Sequence, residues 1–61
     1  MNRIVTHNGI AHLLSEDSAI QMKCWRFING DVVETDDALR AFALAHQYEC
    51  CLICETRNAV A

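Results

Sequence analysis

Two short runs of alternating side chains open the chain, residues 3–7 and 10–14, with Asn8-Gly9 between them. Asn-Gly between extended runs is a strong hairpin signal, because a type I′ turn needs positive φ at both central positions. A two-residue turn also sets the register: His7 faces Ile10, Thr6 faces Ala11 and Val5 faces His12. His7 and His12 then share one face as diagonal neighbours within reach of each other. Ser15-Glu16-Asp17-Ser18 breaks the pattern. A third extended run covers residues 20–28, turns at Asn29-Gly30 and leads into a short fourth run at 31–34.

The periodicity then changes. Thr35-Asp36-Asp37 has the composition of a helix start, with Thr35 as the cap and two aspartates where the helix dipole favours negative charge. Leu39, Phe42, Ala43 and His46 recur at helical spacing, and the helix is expected to end near Gln47 or Tyr48. The tail, 56–61, shows no signal for an element and is expected to be flexible. The predicted fold is α+β: a small antiparallel β-meander of three or four strands followed by one helix, in a single domain spanning 1–61.

A chain of 61 residues is at the lower limit for a self-sufficient core, since small domains bury only ~60% of their unfolded surface and commonly use a staple. The cysteines supply the candidate. Cys51-Leu52-Ile53-Cys54 is a C-x-x-C pair, and Cys24, Cys50, His7, His12 and His46 complete the set of soft ligands. No apolar stretch approaches the ~20 residues of a membrane span, and residues 1–7 lack the apolar core of a signal peptide. A cytoplasmic location is therefore expected, where thiols stay reduced or bind metal. Cys50 adjoins Cys51, which suits a disulfide framework poorly, and a small buried hydrophobe is the plainer role for it.

Zinc takes four tetrahedral N or S ligands, often with one close pair. Cys51 and Cys54 have that spacing, although Glu55 stands where zinc knuckles often have glycine. The other two ligands must come from the strands, and the loop after Leu14 decides which. A five-residue loop, 15–19, pairs Leu14 with Ile20, His12 with Met22 and Ile10 with Cys24. His12 and Cys24 then share a face. A four-residue loop sends Cys24 to the opposite face, because side chains alternate. The odd loop accounts for the histidine and the cysteine together, so the expected site is one structural zinc ion on His12, Cys24, Cys51 and Cys54. His7 is the reserve ligand. His46 enters only if one helix runs through Cys54, which would align His46, Cys50 and Cys54.

The net charge is −3, and Arg3, Lys23, Arg26, Arg40 and Arg57 are scattered. Nucleic-acid binding relies on concentrated positive charge. A zinc on three thiolates and one histidine adds one further negative charge. Four of the eight acids fall between Asp31 and Asp37.

In the odd register Ile4, Leu13, Trp25 and Phe27 gather on the back of the sheet. An exposed apolar and aromatic face marks a protein contact or self-association. The chain therefore reads as a small zinc-stabilised protein-interaction module: an inhibitor, adaptor or regulatory subunit. It is not expected to be an enzyme, and no small-molecule substrate or membrane is expected. The alternatives are a zinc-finger-like nucleic-acid binder and a thiol-dependent enzyme. Its size resembles that of many phage and mobile-element products, a likeness of composition alone.

Overall fold

The computed structural model describes residues 1–28 and 30–59. Along the chain it has β1 (Asn2–His7), β2 (Ile10–Leu13), β3 (Val32–Thr35), α1 (Leu39–Ala45), β4 (Glu49–Cys50) and α2 (Leu52–Ala59). The fold is α+β: a four-stranded mixed sheet of order β3-β1-β2-β4 with two helices.

The first hairpin has the expected register, with Val5 opposite His12 and His7 opposite Ile10. Asn8 and Gly9 both take positive φ, 52° and 76°, the backbone that a two-residue hairpin turn requires. Ile4 and Val5 point to opposite sides of β1, yet both are 0% exposed. The sheet is therefore covered on both faces. Ile4 and Leu13, expected on an open face, lie in the core with Ala11, Leu14 and Met22. Leu39, Phe42 and Ala43 of α1 join the same cluster, and α1 packs on β2 and β4.

α1 starts later and stops earlier than its pattern implies. Its N-cap is Ala38, with no side-chain cap. The Thr35 hydroxyl instead accepts the Asp37 N–H at 3.1 Å, in the turn before the helix. At the other end Gln47 takes φ 62°. The Tyr48 N–H reaches the Ala43 carbonyl at 2.8 Å and the Gln47 N–H reaches that of Leu44 at 3.4 Å. This is a Schellman ending, with glutamine in the left-handed position that usually holds glycine. His46 is exposed, its ring 4.3 Å from that of Phe42.

Residues 20–28 depart from expectation: they fold back on themselves instead of forming one strand. The Met22 N–H donates to the Arg26 carbonyl and the Ile28 N–H to that of Ile20, each at 2.8 Å, and Gln21 bridges Phe27. The three-residue loop 23–25 ends at Trp25 with φ 71°. Three-residue hairpin loops commonly end in a left-handed residue, normally glycine. The chain then returns to the free side of β1. Gly30 has φ +139°, and a Cβ there would lie 3.3 Å from the Thr6 carbonyl oxygen, so this crossing favours glycine. Asn29, the other half of the second turn signal, lies outside the described residues. Consequently β3 pairs with β1, Ile4 opposite Val33, and not with the third run.

The last departure is α2. A helix ending near Gln47 or Tyr48 would leave the 51–54 pair just past its negative end. The pair stands instead at the N-terminus of a second one. Positions 56–59, expected to be flexible, belong to that helix. Val60 and Ala61 lie outside the described residues.

Candidate metal centre

The outer edge of β2 is shared by two segments. The Gly9 carbonyl accepts the Glu49 N–H at 2.8 Å, and the Ala11 carbonyl accepts the Cys51 N–H at 3.0 Å. Further along, the Leu13 carbonyl accepts the Lys23 N–H at 2.8 Å. β4 thus occupies the first half of the edge, running parallel to β2, and the small hairpin occupies the second half. His12 lies at the junction, 4% exposed.

Each arriving segment presents sulfur at that point. Cys24 is in the three-residue loop of the small hairpin. Cys51 makes the last sheet bond of the β4 segment, and its carbonyl accepts the Glu55 N–H at 3.0 Å to begin α2. Cys54, three residues on and so on the same side of that first turn, is fully buried.

His12 Nδ1 is 3.6 Å from Cys24 Sγ and 3.9 Å from Cys54 Sγ. The ligand atoms of His12, Cys24, Cys51 and Cys54 all lie within 4.8 Å of one another. A tetrahedral ion with Zn–S about 2.3 Å and Zn–N about 2.0–2.1 Å has S···N edges of about 3.6 Å and S···S edges of about 3.8 Å. These four residues are therefore close enough to hold one metal ion. The distances mark Nδ1 as the ligating nitrogen. Nδ1 of a neutral imidazole has one lone pair, so it cannot accept two thiol protons equally well. One cation at the centre satisfies both sulfurs and the nitrogen.

The electrostatics of the four side chains point the same way. Burial lowers the pKa of His12, with Arg26 and His7 adding to the effect, which favours the neutral ring that coordinates metal. Burial pushes the Cys54 thiol up to about 12, and the neighbouring Cys51 and Cys24 sulfurs add to the shift. A cation supplies the positive charge that lets such thiols ionise. Access is open: a cavity of about 300 Å³ reaches His12, Cys24 and Cys51 past Ile10, Arg26 and Leu52.

Among the described residues His7 and His46 are not part of the cluster. Cys50 is half-buried against the core, its sulfur 3.8 Å from Glu55 Oε2. Burial is the first cause that raises its pKa. Glu55 also pairs with Arg40 at 2.6 Å, tying α2 to α1. Trp25 and Phe27 are 64% and 67% exposed. The Arg57 guanidinium lies 3.3 Å over the Trp25 ring, a contact that depends on α2. Leu52 and Ile53, between the paired cysteines, are also exposed.

Comparison with protein-family models, with characterised proteins and with solved structures finds no match to this chain. No helix among the described residues is long and apolar enough to cross a membrane.

Proposed function

We propose that the protein is a small zinc-stapled module of the cytoplasm that binds another protein and regulates, inhibits or recruits it. The observation that carries this reading is the four-ligand cluster on His12, with its tetrahedral spacings of 3.6 and 3.9 Å. Three thiolates and an imidazole suit zinc better than harder ions. Four protein ligands leave no position for water or substrate, so the ion's role is structural and the module is not an enzyme.

The binding surface is read from what the ion draws together. Trp25 follows Cys24, and Leu52 and Ile53 lie between Cys51 and Cys54. Coordination would therefore fix a loop and the first turn of α2, which both carry exposed apolar side chains. Trp25 is held in left-handed backbone, a conformation of the kind that persists mainly where surroundings or function demand it. Exposed tryptophan and arginine are characteristic binding anchors. The surface lies on the 23–25 loop and the start of α2 and not on the sheet face, where Ile4 and Leu13 are buried.

One observation favours a second reading. Cys51 and Cys54 stand at the N-terminus of α2, the end where the dipole stabilises thiolate in thiol–disulfide enzymes. Against it, Cys24 and His12 crowd the same two sulfurs into one four-residue cluster, which a thiol–disulfide pair does not need.

Native mass spectrometry of freshly purified protein, before and after acidification, tests both. The zinc reading expects one ion that leaves with acid and is lost in Cys54→Ser. A metal-free protein whose Cys51 alkylates rapidly at neutral pH would favour the redox pair instead.

A further inference from the structure

The sheet has a second feature that lies away from the metal cluster and goes beyond the loop surface just described. β3 is the terminal strand on the far side of the sheet, and among the described residues no strand pairs with its outer edge. Its neighbour β1 covers only one side. Val32 and Val33 are 38% and 42% exposed, although they point to opposite faces of the strand. Such an edge offers a row of backbone N–H and C=O groups to any extended segment that can approach it.

The charges on the strand and at its two ends are all of one sign. Asp31 and Glu34 flank the two valines and are exposed, as are Asp36 and Asp37 just beyond. The chain has no lysine or arginine between Arg26 and Arg40. Arg3 is the cross-strand partner of Glu34, but its guanidinium is committed elsewhere. It donates to the carbonyls of Ser15 at 2.7 Å and Glu16 at 3.4 Å. The ion pairs among the described residues, Lys23–Glu16 and Arg40–Glu55, involve none of these four acids.

We propose that the outer edge of β3 docks an extended segment of a protein partner in which two apolar residues are flanked by basic ones. The order follows from the strand itself. An antiparallel partner in register places its apolar pair opposite Val32 and Val33, and its outer residues opposite Asp31 and Glu34. Opposite charges at those positions stabilise, and like charges oppose pairing. A second copy of this chain is the wrong occupant. Two-fold pairing of β3 with itself, Val32 opposite Val33, sets Asp31 against Glu34 twice. The acidic flanks thus block self-association through this edge while leaving it open to a cationic strand, the mode of β-augmentation.

The test uses the full-length, metal-loaded protein and two dye-labelled synthetic peptides, one with the core order Lys-Val-Val-Lys and one with Glu-Val-Val-Glu. Fluorescence anisotropy should show binding of the basic peptide alone, weakening as salt is raised. Hydrogen exchange should slow at residues 31–35 when it binds. Asp31→Lys combined with Glu34→Lys, both at exposed positions, should weaken the basic peptide about fivefold or more and let the acidic one bind. Equal binding of the two peptides, or of neither, overturns the proposal. So does protection that appears at residues 22–26 or in α2 instead of β3. Sedimentation of the free protein as a dimer with protected β3 amides overturns it in favour of a second copy.

Discussion

The protein contains two hairpins built on opposite terms. The first, β1 and β2, turns through Asn8 and Gly9, the two residue types that best tolerate positive φ. It buries Ile4, Val5, Ala11 and Leu13, and each large side chain so buried is worth about 1.5–3 kcal/mol. The second, residues 20–28, turns through Trp25 in left-handed backbone, at a cost of about 1–2 kcal/mol relative to a right-handed residue. It leaves Ile20, Trp25 and Phe27 exposed, and Arg57 stacked on Trp25 returns only about 0.5–1 kcal/mol. Where turn chemistry and side-chain alternation agree, burial alone holds the element. Where they conflict, only Met22 of the second hairpin is buried, and the proposed coordination of Cys24 alongside His12, Cys51 and Cys54 would supply the rest.

Substitutions break this contrast in order of size. Cys54→Ser removes a buried ligand, and should cost more zinc affinity than the about 10–100-fold typical of losing an outer partner. A competition titration with a chromophoric chelator measures it. Ile4→Ala truncates the first hairpin and should cost about 2–5 kcal/mol in urea unfolding, while one ion per chain is retained. Metal loss in that variant under native conditions would mean that the two halves are not held separately. Gln47→Gly, at the left-handed end of α1, should add about 0.5–1 kcal/mol, the left-handed penalty less the extra entropy of glycine. The same relief applies to Trp25→Gly, but there the lost arginine contact offsets it, so stability should change by less than about 1 kcal/mol. A large loss in Trp25→Gly would make that ring part of the core and not a surface.

The same contrast decides what could be read from residues alone. The first hairpin was legible pair by pair, because Asn8-Gly9 permits essentially one register. That His12 and Cys24 meet was legible, but the pairing behind it was not. Cys24 lies in the 23–25 turn and not in a strand opposite Ile10, and the loop after Leu14 differs in length. That loop is longer by two than expected, since Leu14 bridges Met22 and not Ile20. The turn at 23–25 was hidden because no glycine marks it, and the apolar spacing of Ile20, Met22 and Cys24 suits one strand as well as a folded one. α2 was hidden because Glu55, Thr56, Arg57 and Asn58 carry no apolar periodicity. Over residues 52–58 the helix buries little beyond Cys54, so its pattern lies in the candidate ligand and not in hydrophobicity. β3 was read as a strand, but its neighbour depends on the long crossing at Gly30, which local pattern does not encode.

Urea unfolding of the zinc-loaded protein and of the same protein after exhaustive chelation under reducing conditions bears most directly on the claim that coordination holds the second half of this molecule. Structural zinc contributes about 10–16 kcal/mol of apparent binding energy in small finger peptides, against about 3–5 kcal/mol from a core of this size. The expected result is that chelation abolishes the cooperative transition, and that adding one equivalent of zinc restores it. A chelated protein that unfolds cooperatively at the same midpoint would contradict the account.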